Sequence, residues 1–261
     1  MTVLKNDMLS EEAIRACCTD LSWPMYVFDT IDSTNNYAKS IAASPAAHGT
    51  LIVADHQTDG RGRRGHTFYS PANCGLYLSL IIKPHARVQD MLKVTVAAAV
   101  AAVEAIEETS DAHPQIKWVN DLFIGRRKIA GILTEAVSHQ DPDEPDAIVI
   151  GIGINVTSTD LPEDIENIAG AIDDPNLKRS HLAAVLWQRL LYWTEHLDDP
   201  NLMEKYRRYS FLSGHEITYE LNNNTYSGTV AAINDEGYLV IQNKDNEEIV
   251  LSSGEISVKD W

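Results

Sequence analysis

The stretch TLIVADHQTDGRGRRG, residues 50–65, decides between several fold classes. Its first eight residues have the apolar character of a buried strand, and its three glycines match the G-x-G-x-x-G fingerprint of dinucleotide-binding folds. That fingerprint has to open a helix, but here the glycines lead into a loop, HTFYSPANCG at 66–75, and then into a second strand, LYLSLIIK at 76–83. We therefore reject a dinucleotide-binding fold. The chain also lacks the G-x-x-x-x-G-K-[ST] pattern of phosphate-binding loops.

Helix and strand patterns follow one another irregularly on both sides of this stretch. Asp32 and Ser33 can cap a helix that runs to about residue 41, and an Ala- and Val-rich helix over 90–108 has the composition of a buried one. The other predicted elements are a short helix at 10–18, strands at 25–30, 116–124, 128–137 and 146–156, and a helix at 181–196. A turn at Gly125–Arg127 joins the strands 116–124 and 128–137. These elements predict an α+β fold with helices flanking a mixed β-sheet.

After Ser213 and Gly214 the pattern changes to five short β-like runs separated by turn sequences such as NNN, NDEG and KDN. We predict a small C-terminal SH3-like β-barrel over residues 213–261 and a larger domain over 1–212. A unit of this size has little core of its own, so it should pack on the larger domain.

The charge of the chain is strongly negative, with a formal net value of −17. Such a protein is a poor candidate for general nucleic-acid binding. Seven of its 21 Lys and Arg residues nevertheless fall in three short segments, namely Arg61, Arg63, Arg64, Lys117, Arg126, Arg127 and Lys128. This clustering favours a site for a compact anion such as a phosphate, although solvated surface charge is the ordinary alternative.

The compartment is expected to be the cytoplasm. No apolar run approaches the length of a membrane span, and the N-terminus lacks the pattern of a signal peptide. The three cysteines, Cys17, Cys18 and Cys74, have no metal-type spacing and are interpreted as reduced thiols.

Three motifs offer chemistry. In the loop 60–65, glycines free the backbone and arginines supply permanently charged donors, so the loop can close over a phosphate-bearing ligand or can be an ordinary surface loop. In KWVND (117–121) and RKIAGIL (127–133), the lysines can contact a phosphate as its charge develops, and Asp or Asn can bind magnesium. The alternative is that the two segments form an ordinary charged hairpin. In DSTN (32–35), the polar side chains can cap a helix or bind a small polar ring.

Together these segments resemble the catalytic domain of the biotin–protein ligases. DSTN, the Q-x-x-GRGRRG loop, KWxND, RKIAGILTE and IGIGIN occur in the family's order over residues 25–160, and the chain ends in the similar GEISVKDW. The resemblance implies an ATP-dependent ligase that forms biotinyl-5′-AMP and transfers biotin to a lysine of a biotin carboxyl carrier protein. A lipoate or octanoate ligase or transferase of related fold is the alternative, and the GRGRRG loop argues against it.

Some relatives also act as biotin-responsive repressors with an N-terminal helix-turn-helix domain. Only about 24 residues precede the first core strand here, so we expect a form without that domain and without DNA binding. The partners implied are the carrier protein and, as an option, a second copy of the chain in a homodimer.

The resemblance also implies a role for each matching residue. The catalytic set would be Lys128, Arg61, Lys117, Asn120 and Asp121, with Mg²⁺ reaching Asp121 through the substrate. The biotin-binding set would be Ser33, Thr34, Asn35, Gln57, Gly60, Arg61, Gly62, Arg63, Tyr77, Ser79, Lys128 and Gly131. The ATP-binding set would be Arg61, Arg63, Arg64, Phe68, Lys117, Asn120, Lys128 and Asn155. Two positions depart from the family pattern, since Phe68 stands where a tryptophan is common and Val119 stands for the proline of KWPND.

Overall fold

The computed structural model describes residues 7, 9–18, 22–42, 48–83, 91–138, 145–158, 161–221 and 224–259. Its larger sheet has seven strands in the order β1-β2-β3-β7-β6-β5-β4. The strands are β1 Met25–Ile31, β2 Thr50–Gln57, β3 Gly75–Ile82, β4 Gln115–Lys117, β5 Asp121–Ile124, β6 Arg127–Val137 and β7 Ala147–Asn155. Strands β1 and β2 pair in parallel and all other neighbours pair antiparallel, so the sheet is mixed, as predicted.

Helices cover both faces of this sheet. The described helices are α1 Glu11–Arg15, α2 Thr34–Ala42, α3 Met91–Thr109, α4 Arg179–Glu195 and α5 Pro200–Tyr209. Helices α3 and α4 pack together and against β6 and β3, and they enclose the large apolar core. Helix α2 packs on β2, β3 and β7 through a much smaller apolar cluster. The two faces are therefore unequal, and the thinly covered one has space for a site.

None of the helices in the described part of the chain is both long and apolar enough to cross a membrane.

One predicted strand is wrong. Residues 116–124 form two short strands rather than one, and β4 folds back on β5 with Lys117 opposite Asp121. The turn at Trp118–Asn120 is tied down from outside, because Asn120 Nδ2 donates to the Ile132 carbonyl at 2.9 Å and the Ile132 amide returns a bond to the Asn120 carbonyl. Apolar periodicity cannot reveal such a tertiary tie. The turn between β5 and β6, where Ile124 pairs with Arg127, lies where it was predicted.

Helix α5 was not predicted, although its signals are present in the sequence. Asp199 caps it by accepting from the Asn201 amide at 2.9 Å, and Pro200 occupies its first turn, where the missing N–H costs nothing. The helix is short and strongly charged, with only Leu202, Met203 and Tyr206 buried.

The C-terminal unit is a five-stranded antiparallel sheet in the order β11-β10-β9-β8-β12. Its strands match the five predicted runs, and they are β8 Glu216–Leu221, β9 Asn224–Ile233, β10 Leu239–Gln242, β11 Glu248–Leu251 and β12 Ile256–Val258. Its buried residues, including Ile217, Val230 and Leu239, belong to the same continuous core as α3. The small unit thus packs on the larger one, while the proposed boundary between residues 212 and 213 stays a prediction.

A buried hydrogen bond joins the two units, since Trp118 Nε1 donates to the Gly237 carbonyl at 2.9 Å. Replacing Trp118 with Phe should lower the free energy of unfolding by about 1–3 kcal/mol, because a buried carbonyl loses its donor. Chemical denaturation measures the change. Trp187→Phe is the matched control, since Trp187 donates to the Gly49 carbonyl within the larger unit. Protease sensitivity within 213–259 should rise in the Trp118 variant alone, and an equal rise in both variants would contradict the role of Trp118 between the units.

Candidate active site

The floor of the site is formed around three glycines, Gly131, Gly151 and Gly153, on the α2 face of the larger sheet. Strand pairing aligns Tyr77, Gly153, Gly131 and Asp121 across β3, β7, β6 and β5. In β7 the isoleucines at 148, 150, 152 and 154 all belong to the large core. Because strand side chains alternate, Gly151 and Gly153 fall on the opposite face and leave it flat.

Both glycines are places of close approach. A Cβ atom at position 151 would collide with the Asn35 amide group, and one at position 153 would lie 2.5 Å from Cε1 of Phe68. The absence of these two side chains is what allows α2 and the Phe68 ring to lie directly on the sheet.

A cavity of about 480 Å³ opens above this floor. It brings together thirteen of the residues assigned from the sequence, namely Ser33, Thr34, Asn35, Gln57, Arg61, Gly62, Arg63, Phe68, Lys117, Asn120, Asp121, Lys128 and Gly131. These residues come from four stretches of the chain, 33–35, 57–68, 117–121 and 128–131, so the fold brings the three sequence motifs together around one space. A cavity of this volume suits a small-molecule ligand.

Five of the assigned residues lie elsewhere. Tyr77 and Asn155 line a second cavity of about 790 Å³, and Ser79 is fully buried behind the wall of the first. Gly60 is also buried and accepts from the Phe68 amide through its carbonyl, which closes the base of the arginine loop. Arg64 points away, towards Glu255.

The two cavities adjoin, since Thr67, Phe68, Lys128 and Ile168 line both. The segment 161–173 forms one side of the second cavity and docks on the start of β6. The Lys128 amide donates to the Ile168 carbonyl and the Gly170 amide donates to the Lys128 carbonyl, each at 2.8 Å. Asn155 Nδ2 donates to the Gly170 carbonyl, also at 2.8 Å. This segment was not predicted to contribute to the site, because its acidic, irregular sequence carries no motif.

A chain of polar side chains forms the α2 wall. Ser79 Oγ lies 2.6 Å from Asn35 Oδ1 and 2.8 Å from Thr34 Oγ1, and Thr34 Oγ1 lies 3.1 Å from Gln57 Oε1. The Gln57 amide orientation is set at its other end, where Nε2 donates to Ser70 Oγ at 3.0 Å. The Thr34 amide also donates to Gln57 Oε1, at 2.9 Å. The hydroxyl and amide oxygens of the wall keep lone pairs that these contacts do not use, so the wall can accept a ligand N–H.

The opposite wall is positively charged. Lys128 Nζ forms an ion pair of 2.7 Å with Asp121 Oδ1. Burial lowers the pKa of the Lys117 ammonium, and the nearby Lys128 lowers it further, while the carboxylates of Asp121 and Glu255 act in the opposite direction. Two ammonium groups facing one cavity, with one tight carboxylate partner between them, favour binding of an anion.

Three residues of the arginine loop, Arg61, Gly62 and Arg63, line the cavity. Arg61 Nη1 donates to Asn36 Oδ1 at 2.8 Å, and Arg63 Nη1 donates to Asn120 Oδ1 at 3.0 Å. Arg64 adopts a left-handed backbone with φ of 52° and reaches Glu255 only at 4.0 Å. Arg61 and Arg63 thus line the cavity and hydrogen-bond to neutral side chains, which they can exchange for an anion. Arg64 instead faces the C-terminal unit.

Several residues that the sequence analysis did not assign contribute to this site. Gly254, Glu255, Ile256 and Ser257 of the C-terminal unit line the first cavity. The sequence GEIS contributed to the family resemblance, but it did not predict where this segment would lie in the structure. Asn36 and Glu135 hold Arg61 and Asn35 from outside the cavity lining.

The comparisons with known proteins agree with this geometry. Residues 27–155 match the model of the Biotin/lipoate A/B protein ligase family, and residues 212–259 match the Biotin protein ligase C terminal domain. The chain is 32% identical to the Bifunctional ligase/repressor BirA of Bacillus spizizenii over 96% of this chain and 80% of that protein. It is 29% identical to the Biotin--[acetyl-CoA-carboxylase] ligase of Mycobacterium tuberculosis over 86% of this chain and 85% of that one.

Among solved structures, the biotin protein ligase from Aquifex aeolicus in complex with biotin and ATP superposes with a TM-score of 0.77 at 23% identity, covering 90% of this chain and 99% of that one. The mixed sheet, the cavity and the first family model define a protein ligase of the biotin/lipoate class. With the C-terminal match and the Bacillus relative, the chain belongs to the biotin protein ligase family. The family, the enzyme class and the α+β fold predicted from the sequence are confirmed.

Gly153→Ala and Gly131→Ala add the same methyl group at paired positions of the floor. At 153 the new Cβ would lie 2.5 Å from the Phe68 ring, whereas at 131 its nearest neighbour lies at 3.3 Å. We expect Gly153→Ala to displace Phe68 and lower the free energy of unfolding by about 1–3 kcal/mol, and Gly131→Ala to cost less than about 1 kcal/mol. Thermal denaturation of both variants measures the difference. An equal cost at the two positions would contradict the close approach of Phe68.

Proposed function

We propose that this biotin protein ligase performs two half-reactions in the adjoining cavities. In the first, the biotin carboxylate attacks the α-phosphate of ATP, and biotinyl-5′-AMP and pyrophosphate form. In the second, a deprotonated lysine amine of a biotin carboxyl carrier protein attacks the mixed anhydride, forms an amide with biotin and expels AMP. The observation that carries the proposal is the convergence of the acceptor-rich wall, the two lysines and two of the loop arginines on one cavity.

Biotin is assigned to the first cavity because its chemistry matches both walls. Its ureido ring offers N–H donors, and the wall of Asn35, Ser79, Thr34 and Gln57 presents hydroxyl and amide oxygens that can accept them. Its carboxylate is an anion, which suits the wall that carries Lys128. The flat floor of the sheet accommodates a rigid bicyclic ring.

The nucleotide is assigned to the second cavity and to the junction with the first. Lys128 lines both spaces, so its ammonium can reach a carboxylate on one side and an α-phosphate on the other. Phe68 at the junction offers a smaller stacking face to adenine than a tryptophan would. Asn155 and the docked segment 161–173 form the far side.

Mg²⁺ would arrive with the phosphates of ATP rather than occupy a protein cage. Within the described residues there is no cluster of three or more His, Cys, Asp or Glu side chains suited to a metal. Asp121 can offer one carboxylate ligand, since Mg²⁺ in such sites keeps waters and phosphates for the rest. Lys128 at 2.7 Å competes for that carboxylate, so the metal contribution of Asp121 is minor.

Biotin is preferred to lipoate as the substrate acid. The first family model covers both classes of ligase, whereas the domain matched at 212–259 carries the description of biotin protein ligases alone. That C-terminal unit contributes Glu255 and its neighbours to the cavity. A cytoplasmic location, a carrier protein as acceptor, the absence of DNA binding and the option of a homodimer stay predictions of the sequence.

Exchange of labelled pyrophosphate into ATP tests both the function and the role of Lys128. The parent should exchange only when biotin is present, and lipoate should not replace it. Lys128→Ala should reduce this exchange by about two orders of magnitude or more, as for the loss of one charged contact to a transition state. Lys93→Ala is the control, since Lys93 pairs with Asp198 on the surface. Biotin-independent exchange in the parent, or normal exchange by a folded Lys128 variant, would contradict the assignment.

Arg61→Ala tests the closing role of the loop 60–65. Without the guanidinium, closure over the adenylate should weaken while the fold is retained, because the loop contributes little core. We expect faster release of biotinyl-5′-AMP, seen as free adenylate and as biotin on bystander lysines. Limited proteolysis at the loop arginines should slow when biotin and nucleotide bind to the parent. Arg189→Ala, a variant on the surface, is the control. The closing-loop hypothesis would be overturned if the Arg61 variant retained biotinyl-5′-AMP as well as this control does, and if the loop of the parent were cleaved equally fast with and without ligands.

A further inference from the structure

We infer that Glu135, a residue outside both the cavity lining and the assigned sets, is a positioning residue for biotin recognition that fixes the side-chain amide of Asn35. The inference deepens the proposed function and rests on it for the identity of the ligand. The juxtaposition that carries it is a carboxylate and an ammonium held directly behind the acceptor-rich wall.

The contacts leave one arrangement of the Asn35 amide. Asn35 Nδ2 donates to Glu135 Oε2 at 2.8 Å and, over a longer distance of 3.5 Å, to the Leu133 carbonyl. Lys39 Nζ donates to Glu135 Oε1 at 2.7 Å. Asn35 and Lys39 are four residues apart on α2, so they meet Glu135 from the same helix face. A carboxylate only accepts hydrogen bonds, so it selects the nitrogen of the amide and turns Oδ1 towards Ser79.

This orientation decides what the wall can bind. With Oδ1 towards Ser79, the Asn35 amide presents an acceptor oxygen to the wall. If the amide were reversed, Nδ2 would donate to Ser79, and Asn35 would present a donor there. Glu135 therefore keeps Asn35 an acceptor of the wall, which is the property that suits the N–H groups of a ureido ring.

The charge of Glu135 is maintained by its neighbours. Burial would raise the pKa of its carboxyl group, but the hydrogen bonds from Lys39 and Asn35 outweigh burial and hold the pKa below its ordinary value, with Arg61 adding to the effect. The charged groups that face the carboxylate are thus Lys39 from α2 and Arg61 from the loop 60–65. Its neighbours across the strand and along it, Val149, Thr134 and Ala136, carry no charge.

A purely structural ion pair is the competing explanation. The side chains of Lys39 and Glu135 are 28% and 25% exposed, and a partly exposed pair of this kind contributes little to stability. The chain offers a matched pair outside the site. Glu104 of α3 accepts from Lys205 Nζ at 2.5 Å and from Trp193 Nε1 at 2.8 Å, as Glu135 accepts from Lys39 and Asn35.

The first arm of the experiment compares Glu135→Leu with Glu104→Leu. Glu135→Leu should raise the KM for biotin roughly tenfold, the loss expected when one buried amide is misoriented, and should leave the KM for ATP within about twofold. The value of kcat at saturating biotin should be retained, and Glu135→Gln, which keeps an acceptor oxygen, should recover most of the biotin affinity. Glu104→Leu should lower Tm without raising the KM for biotin. The inference would be overturned if Glu135→Leu left the KM for biotin unchanged. It would also be overturned if both KM values rose and kcat fell in step with a loss of Tm.

The second arm uses pH. In Lys39→Met the ammonium that lowers the pKa of Glu135 is gone, so the pKa rises relative to the parent and the carboxyl protonates at a higher pH. A protonated oxygen can donate to Asn35 Oδ1, which lets the amide turn. As the pH is lowered, biotin affinity measured by calorimetry should therefore begin to fall at a higher pH in Lys39→Met than in the parent. Identical pH profiles for the two proteins would count against the inference.

The third arm reads the amide without any ligand. The side-chain NH₂ resonances of Asn35, assigned in ¹⁵N-labelled parent, should shift strongly in Glu135→Leu and little in Glu104→Leu. Failure of the parent to bind biotin would refute the proposed function, whereas parent binding with an unshifted Asn35 amide would refute the role of Glu135 alone.

Discussion

The site depends on the alternation of isoleucine and glycine along β7. Every second residue of this strand, from Ile148 to Ile154, packs into the core under α3 and α4. Gly151 and Gly153, which alternate with the last three isoleucines, leave the other face bare beside the cavity, and Gly131, which pairs with Gly153, extends the bare strip to β6. One strand thus stabilises the fold on one side and forms the floor of a ligand site on the other.

The other parts of the site follow from that floor. Because no side chain projects from position 151, α2 can lay Asn35 against the sheet, and the polar wall forms between Asn35 and Gln57. Because none projects from position 153, Phe68 closes the base of the arginine loop and divides the space into two adjoining cavities. Lys128 lines both cavities, and in the proposed reaction it contacts both the carboxylate and the phosphate that are joined. The charged segment at Glu255 completes the rim from the C-terminal unit.

The sequence predicted the parts of this arrangement that local chemistry encodes. The mixed sheet, most helices, the five C-terminal strands and the motif residues follow from periodicity, caps and motifs, and thirteen assigned residues share one cavity. It did not predict partners distant in the chain, such as Glu135 behind Asn35 or Glu255 beside the loop, because an isolated glutamate carries no local signal of its neighbours. The single strand over 116–124 was wrong for a related reason, since its turn is held by Ile132 of another strand.

The central claim is that the space above the glycine floor binds biotin on the acceptor-rich wall and the nucleotide beyond Phe68. A crystal structure of the protein with biotin and a non-hydrolysable ATP analogue tests this most directly. The account predicts a ureido N–H within hydrogen-bonding distance of the Asn35, Ser79, Thr34 and Gln57 wall, the biotin carboxylate and the α-phosphate both at Lys128, and the base towards Asn155. Biotin bound in the second cavity, or away from the floor of Gly131, Gly151 and Gly153, would contradict it.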